Sequence, residues 1–395
     1  MKSSPVSVQC GPHTADTVNR ALALQGGFKR LVRPGATVLI KPNYGVPISW
    51  ELGATTNPEV VIALIEAAKA ANAGRILVAE SSVVGFDAGQ VMETLGVSQR
   101  FERAGARVVN LDESPDDFVE KKVPAGQLIK QIKIFRKALE CDVLVSVPVL
   151  KTHIYTTVSL GIKNLKGTLP DSQKKILHRV GARKKKNDLF ELDRGIADMM
   201  TVHAPDLTVI DATVGQEGFV QTAGVCGTPV PMNTVIVGTD FVAADAVGAD
   251  LMGFDPLKVN HLRFCHEMDL GEANRDRIQT VGQDPATLRR PFRPAIPGEL
   301  GDYDNIVVKE GGSCSGCSVA IRCALNSFTP QDIAQWKPAV IFVGNDTDET
   351  GTSGGKNVFI GKCACRFARR GDDKITGCPP PFSYVADKLK RALSS

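Results

Sequence analysis

Six of the ten cysteines lie close together near the carboxyl end of the chain, and this clustering limits what that region can be. They are Cys314, Cys317, Cys323, Cys363, Cys365 and Cys378. In a cytosolic chain of this size, clustered cysteines more often bind metal or carry out redox chemistry than form disulfides. The clustering therefore predicts a metal-binding or redox unit at this end of the chain.

Four of these cysteines have the spacing of cluster ligands. Cys314 and Cys317 form a Cys-x2-Cys pair, which lets two thiolates bind from one turn. Cys363 follows a predicted strand and a glycine, and Cys378 precedes three prolines, which set a rigid turn and remove backbone donors. Four thiolates from three loops at one end of a small sheet suit a 4Fe–4S cluster, in which each iron takes one cysteine. We therefore expect a 4Fe–4S cofactor on these four residues.

Zinc is the main alternative, because four cysteines also form structural zinc sites. Zinc ribbons usually carry two Cys-x2-Cys pairs, whereas only one occurs here, and the other gaps between ligands are 45 and 14 residues. This spacing favours iron–sulfur. Cys323 is interpreted as a packed thiol on a helix, and Cys365 as either a substitute ligand or a redox thiol beside the cluster.

The C-terminal residues 305–395 resemble the proximal cluster domain of the nickel–iron hydrogenase small subunit. The resemblance rests on Gly-Ser-Cys-Ser-Gly-Cys at 312–317, Gly-Lys-Cys-Ala at 361–364 and Gly-Cys-Pro-Pro-Pro at 377–381. It implies a flavodoxin-like domain with a single 4Fe–4S cluster. The usual glycine-rich stretch after the third cysteine is replaced by Cys-Arg-Phe at 365–367, and the acidic residue near the first motif is missing. Nickel ligands of the large subunit are not found, so hydrogenase activity is not implied.

The first 300 residues alternate between apolar runs and amphipathic segments. Asn57 followed by Pro58 predicts the start of a helix. Runs typical of buried parallel strands occur at 37–40, 75–79, 108–111, 143–147, 207–211 and 234–237. The predicted fold class is α/β, with a mostly parallel sheet domain covered by helices and a smaller, flavodoxin-like iron–sulfur domain. Proline and glycine without periodicity place a linker at 286–304, between domains at 1–285 and 305–395.

Residues 35–270 resemble the bacterial and archaeal family called domain of unknown function 362. The resemblance is carried by five segments: Ile-Lys-Pro-Asn at 40–43, Val-Pro-Val-Leu-Lys-Thr-His at 147–153, Val-Ser-Leu-Gly-Ile-Lys-Asn-Leu-Lys-Gly at 158–167, Asp-Ala-Thr at 211–213 and Gly-Thr-Asp-Phe-Val-Ala-Ala-Asp-Ala at 238–246. Members are often fused to or associated with iron–sulfur domains, which agrees with the cysteine spacing. The family name implies no settled function.

Polar side chains follow several of the predicted strands in this larger domain. Because ligands bind outside the carboxyl ends of strands in an open parallel sheet, we expect them to converge in one crevice. Several lysines there favour a small anionic substrate, and a desolvated lysine can act as acid or base. The candidate catalytic residues are Lys41, Lys151, His153 and Lys163, and the candidate substrate-binding residues are Asn43, Asn164 and Lys166.

Simpler structural roles remain open for the same residues. Each lysine can cap a sheet edge or pair with a local carboxylate, and His153 can be a hydrogen-bonded structural residue. Asp211, Asp240 and Asp245 can pair with the lysines, bind a cation or cap helices, and capping is favoured for Asp240. The basic stretch at 174–186 is either a solvated surface or a lid or docking patch for an acidic ligand.

Composition and motifs exclude several functional classes. The formal net charge of +4 is too balanced for a general nucleic-acid binder. A run of about 18 apolar residues, as a membrane span requires, does not occur, and the first residues lack the apolar core of a secretory signal. We therefore expect a cytoplasmic protein without nucleic-acid or membrane partners. The sequence contains neither a Walker-type loop, nor Gly-x-Gly-x-x-Gly after the first strand, nor a Gly-x-Ser-x-Gly elbow.

The leading functional hypothesis is an iron–sulfur oxidoreductase that acts on a small anionic substrate in the lysine-rich crevice, with a redox partner protein such as a ferredoxin. One alternative is an electron-transfer or cluster-carrier protein without its own substrate, and another is a cluster-dependent hydro-lyase. The enzyme hypothesis predicts that the cysteine loops face the lysine crevice. The carrier hypothesis predicts an exposed cluster on an outer surface.

Overall fold

The computed structural model describes residues 5–178, 191–218, 227–295, 303–345 and 355–394. The chain divides into two compact units. The first is built from the chain up to Lys175 and from Asp193 to Ala295, and the second from Ile176 to Leu192 and from Ile296 onward. Each unit has its own sheet, so each is described by itself.

The first unit contains a ten-stranded mixed sheet and a separate two-stranded hairpin. Its strands are β1 (Val6–Cys10), β2 (Thr37–Lys41), β3 (Arg75–Glu80), β4 (Arg107–Asn110), β5 (Phe118–Lys122), β6 (Gln131–Phe135), β7 (Val143–Ser146), β8 (Val149–His153), β9 (Thr157–Ser159), β10 (Leu207–Glu217), β11 (Thr228–Gly238) and β12 (Thr280–Gly282). The main order is β12-β1-β11-β10-β7-β2-β3-β4, β8 pairs with β10 and β9, and β5 pairs with β6. Most neighbours in the large sheet are parallel, as predicted, whereas β11 runs antiparallel to β1 and β10.

The predicted buried runs form the centre of this sheet. All five residues of β2 and all four of β7 are buried, which explains why their sequences do not alternate between apolar and polar residues. One face, which includes Val38 and Ile40, packs in a cluster with apolar residues of the helices that follow. Leu150 and Ile210 lie against Gly248 on the other side, where a Cβ would meet their methyl groups.

Helices cover both faces of the large sheet. They and the short helices of the first part of the chain are α1 (Thr14–Leu24), α2 (Pro58–Ala70), α3 (Ala88–Thr94), α4 (Ser98–Ala104), α5 (Arg136–Leu139), α6 (Gly161–Asn164), α7 (Asp171–Leu177), α8 (Glu191–Met200), α9 (Phe241–Leu251), α10 (Asn260–Glu267) and α11 (Pro285–Leu288). The Asn57 side chain accepts a hydrogen bond from Glu59 N before α2, and Asp240 accepts one from Ala243 N in α9. Both predicted caps are therefore confirmed.

The second unit is a small parallel sheet with helices. Its four strands, in sheet order, are β13 (Ile306–Gly311), β14 (Ala339–Gly344), β15 (Lys356–Ile360) and β16 (Asp373–Ile375). Its helices are α12 (Ser315–Leu325), α13 (Pro330–Ala334), α14 (Gly361–Ala364) and α15 (Phe382–Leu393). Ile321 and Leu325 of α12 and Leu389 of α15 are buried with Ile341 and Val343 of β14 in one apolar core.

The first half of the predicted linker packs on the first unit. Arg290 N donates to Leu251 O at 2.7 Å, and Phe292 N donates to Met252 O at 2.8 Å. The Phe292 side chain is buried. The chain therefore stays with the first unit up to Ala295, and residues 296–302 lie outside the described part.

Candidate functional site

Lys41 and Glu80 form a buried ion pair at the carboxyl edge of the large sheet. Lys41 ends β2, Glu80 ends the neighbouring strand β3, and their side chains meet at 2.6 Å with 1% exposure each. Burial lowers the pKa of Lys41 and raises that of Glu80, and the attraction between the two charges opposes both shifts. Glu80 also accepts hydrogen bonds from the backbone of Tyr44 and Ser81. Lys41 thus has a carboxylate partner within the protein.

Asn164 links this pair to the neighbouring strand. Its Oδ1 accepts from Lys41 Nζ at 3.1 Å, and its Nδ2 donates to Lys41 O and to Ser146 Oγ. Gly167 lies in close contact with the pair, since a Cβ added there would lie only 2.6 Å from Lys41 Nζ. A side chain at position 167 would displace the ion pair. Asn164 is therefore a positioning residue for Lys41.

Lys174 completes this group from the start of the basic stretch. Its Nζ donates to Ser81 Oγ at 2.5 Å and to Ser82 O at 2.6 Å, and it lies 3.3 Å from an Asp171 oxygen. With 5% of its side chain exposed, Lys174 is part of the core and not of a solvated surface. Its contacts with Ser81 and Ser82 join residues more than ninety positions apart, so local sequence pattern gives no signal for them. The basic residues at 179–186 lie outside the described residues.

Lys151 and His153, on β8, have separate surroundings. Lys151 Nζ donates to Asn43 Oδ1 at 2.6 Å and to Ala54 O at 2.9 Å. His153 Nδ1 accepts from Tyr155 N at 3.1 Å and lies 3.1 Å from Thr156 Oγ1, so it supports the turn between β8 and β9. Lys151 is joined to the Lys41 group through Asn43, whose amide nitrogen lies 3.4 Å from Asn164 Oδ1.

Lys163 differs from the other crevice lysines. It is half-buried on α6, and its ammonium group makes neither a hydrogen bond nor an ion pair with any residue that the structure describes. Burial and, to a lesser extent, the charge of Lys41 lower its pKa to about 8, and the charge of Asp193 opposes this shift. Burial and the charges of Lys163 and Lys174 place the pKa of Lys166 well below its usual value. Lys163 therefore lies within electrostatic range of Lys41 and Lys166, and Lys174 within range of the same two lysines.

Two buried carboxylates hold the elements that carry these side chains. Asp245 Oδ1 and Oδ2 accept from Gly161 N and Ile162 N at 2.7 and 2.8 Å, which fixes the start of α6. Asp211 accepts from Asn57 N at the start of α2, and from the backbone and hydroxyl of Thr213 within β10. Burial raises the pKa of Asp211 to about 6 and that of Asp245 to about 7. These aspartates anchor backbone and do not pair with the lysines.

In the second unit, three loops converge at the carboxyl ends of the parallel strands. Cys314 is the N-cap of α12 after β13, and Cys317 lies in the first turn of that helix. A Cβ at Gly361, which has φ of 87°, would lie 2.7 Å from Cys317 Sγ, so glycine is required where the β15 loop passes. Lys362 N donates to Gly377 O at 2.7 Å, which joins the loop of Cys363 to that of Cys378.

The other three candidate ligands lie within electrostatic range of the Cys317 thiol. A hydrogen bond with Cys314 and burial raise the pKa of the Cys317 thiol, and the charges of Cys314, Cys378 and Cys363 raise it further. Within the described ranges, groups of three or more His, Cys, Asp or Glu that could hold a single metal ion are not found. A cubane makes a different demand, because each iron takes one cysteine and the thiolates surround the cluster. Four neighbouring thiols are a donor set that fits such a cluster.

The two additional cysteines have other surroundings. Cys323 is buried on α12, where burial raises its pKa to about 12. Cys365 directly follows the helical turn α14, which contains Cys363. Its Sγ donates to Phe359 O at 3.2 Å, and it packs against Phe342 and Phe359 in a separate apolar cluster. Its sulfur is thus turned toward the sheet.

Residues 38–250, more than half of the chain, match the profile of the family described as Domain of unknown function (DUF362). The chain belongs to this family. The predicted resemblance over 35–270 is confirmed in its main part. The Lys41, Lys151 and Lys163 segments all lie within the matched DUF362 region, whereas the four candidate cluster cysteines lie beyond it.

A curated relative of this DUF362 protein is the thylakoid-associated protein sll1697 of Synechocystis sp., which is 27% identical over 193 residues. The match covers 49% of this chain and 56% of the relative, so the chain spans about half the length of that protein. The helices of the described residues include none that is long and apolar enough to cross a membrane.

Two solved structures are similar to the chain at low sequence identity. The lactate racemase apoprotein from Thermoanaerobacterium thermosaccharolyticum has a TM-score of 0.42 and 14% identity, with coverage of 99% of this chain and 81% of that one. A protein from Thermotoga maritima has a TM-score of 0.39 and 12% identity, with coverage of 84% and 71%. With TM-scores below 0.5, neither similarity bears on the activity of this DUF362 protein.

Proposed function

We propose that this DUF362 protein is an iron–sulfur oxidoreductase. Its second unit holds a 4Fe–4S cluster on Cys314, Cys317, Cys363 and Cys378, and its first unit binds a small anionic substrate near Lys163. The observation that carries the proposal is the convergence of three cysteine loops at the carboxyl ends of β13, β15 and β16. A ferredoxin-like protein is the proposed electron donor or acceptor.

The local backbone supports the cluster assignment. Gly361 and Gly316 leave room where side chains would collide with Cys317 and with Pro379. The Cys-x2-Cys pair at the start of α12 places two thiolates where the positive end of the helix dipole stabilises negative charge. Mutual repulsion among neighbouring thiolates is relieved when iron binds them. A bound cluster supplies one-electron transfer, and the potential depends on the surrounding hydrogen bonds and solvent exposure.

The hydrogen-bond partners of the lysines support an anion site that uses fewer lysines than the sequence predicts. Lys41, Lys151 and Lys174 are held by oxygen atoms of the protein itself. Lys163 is the described crevice lysine whose ammonium group remains available for a substrate carboxylate or phosphate. A bound anion would favour the charged form of Lys163 and so raise its pKa toward the usual value. In this proposal the Lys163 ammonium group binds the substrate. Lys41 and Asn164 help to position Lys163.

One observation favours the second candidate, an electron carrier without its own substrate. Cys378 is exposed, and Cys314 and Cys363 are only half-buried. A cluster on such residues is accessible to a partner protein, because electron transfer needs a short distance between the two redox groups. The carrier hypothesis needs no role for Lys163.

Anaerobic purification followed by electron paramagnetic resonance tests the proposal. We expect about four irons and four sulfides per chain and a signal that appears on reduction with dithionite. The oxidoreductase predicts that one of a series of small carboxylates and phosphates changes this signal in the wild type but not in Lys163→Met. A cluster that responds to none of them would favour the carrier, and a protein without sulfide after reconstitution would overturn both.

A further inference from the structure

A cleft in the first unit lies beside the lysine crevice and uses none of its lysines. Its volume is about 100 Å³, and its walls include Tyr44, Trp50, Thr55, Leu95 and Arg100. A water molecule needs roughly 10–15 Å³ of such space. The cleft therefore has room for a small organic molecule of several non-hydrogen atoms.

Tyr44 contributes a polar group that the protein leaves unsatisfied. Its side chain is 1% exposed, and its hydroxyl is buried without a hydrogen-bond partner among the described residues. Buried hydroxyls nearly always have a partner, because leaving one unpaired is costly. Burial and the charge of Asp211 raise the pKa of Tyr44 well above its usual value, so the hydroxyl keeps its proton and can donate. Asp211 itself already accepts hydrogen bonds from Asn57 and Thr213.

Arg100 contributes the charge of the cleft. Its Nη2 donates to Glu59 Oε1, and 40% of its side chain is exposed. A guanidinium group has five donor hydrogens and accepts none, so one contact with Glu59 leaves donors for a ligand. The Thr55 hydroxyl donates to Ile48 O and is therefore not a free donor. Tyr44 and Arg100 together call for a ligand group that only accepts hydrogen bonds and is negatively charged.

The remaining walls are apolar. Trp50, Pro58, Leu95 and Val97 line the cleft, and Pro58 marks the amino end of α2, where the helix dipole favours negative charge. We propose that this cleft binds a small monocarboxylate with a short apolar chain, whose carboxylate contacts Tyr44 and Arg100 and whose chain packs on Trp50 and Leu95. The site includes neither the cluster ligands nor Lys163, so an experiment can disprove it without disproving the proposed function.

Titration of the full chain with butyrate tests this inference. Trp50 lines the cleft, so binding should change tryptophan fluorescence and raise the melting temperature. Butyramide and butylamine, which lack the negative charge, should do neither. The change should be lost in Trp50→Phe, because the other tryptophan, Trp336, lies in the second unit.

Tyr44→Phe separates a ligand site from a structural role. Because the variant removes an unpaired buried hydroxyl, the ligand-free protein should melt at the same or a higher temperature, while the butyrate Kd rises roughly tenfold. Arg100→Gln should weaken binding at least as much. Arg103→Gln is the matched control, since Arg103 lies on the same helix but outside the cleft, and it should bind butyrate as the wild type does.

Three results would overturn the proposal. The first is that the tryptophan fluorescence of the wild type shows no saturable change up to about 30 mM butyrate, well above the millimolar Kd of a weak ligand. The second is that both Tyr44→Phe and Arg100→Gln bind butyrate with unchanged affinity. The third is a lower melting temperature of ligand-free Tyr44→Phe, which would show that the hydroxyl has a structural partner.

Discussion

The lysine crevice of the first unit and the cysteine loops of the second unit both gather like side chains at the carboxyl ends of parallel strands. They differ in whether nearby protein groups balance the charges of those side chains. Lys41 and Lys174 each meet a carboxylate and other oxygen atoms of the protein. The pKa of Cys317, in contrast, is raised by burial and by three other cysteines, which are Cys314, Cys363 and Cys378. We therefore expect a group of like residues to bind a ligand only where the protein does not supply the counter-charge itself.

The largest effect that sharpens this comparison concerns the cysteines. Cys363→Ser should remove most of the iron or leave a three-iron cluster, because serine is a poor substitute for a thiolate ligand. Iron and sulfide analysis with electron paramagnetic resonance measures the loss. Cys365→Ser is the matched control two residues away, and it should keep full iron because the Cys365 sulfur contacts Phe359 O. Full iron in Cys363→Ser together with loss in Cys365→Ser would exchange the two assignments.

A smaller effect is expected where the first unit supplies its own counter-charge. Glu80→Gln leaves Lys41 buried without a carboxylate, which should lower the free energy of unfolding by about 3–5 kcal/mol. Chemical denaturation measures the change. Glu66→Gln is the control, because Glu66 pairs with Lys69 at the surface and an exposed pair contributes about 0–1 kcal/mol. Equal effects of the two substitutions would mean that the Lys41–Glu80 pair is not a buried structural pair.

The smallest effect on folding is expected at Lys163. Lys163→Met should leave stability at pH 7 unchanged or higher, because no described partner is lost. The folded pKa of about 8 lies below the usual 10.5, so the unfolded state binds the proton more tightly between these values. Wild-type stability should therefore gain from this lysine as the pH rises from about 8 to 10.5, and the gain should be absent in Lys163→Met. Parallel stability curves for the two proteins over that range would place Lys163 in a different environment.

Much of the architecture follows from local sequence. Uninterrupted apolar runs predict β2, β3 and β7, since strands buried on both faces need no alternation. The Asn57-Pro58 and Asp240 caps predict the starts of α2 and α9. The spacing of Cys314, Cys317, Cys363 and Cys378 predicts which loops converge, because strands of a parallel sheet end at one edge. These features depend on a few neighbouring residues, so the sequence shows them directly.

The partner of each site residue was decided by the tertiary structure. Lys41 meets Glu80 because β2 and β3 are neighbours in the sheet, and strand order cannot be read from local pattern. His153 supports a turn, and the Cys365 sulfur faces the sheet because the chain forms the helical turn α14 after β15. Tyr44 and Arg100 line one cleft although they lie fifty-six positions apart in the sequence. Local sequence sets which side chains can carry charge or bind metal, but the energy of burying each one depends on what the fold places beside it.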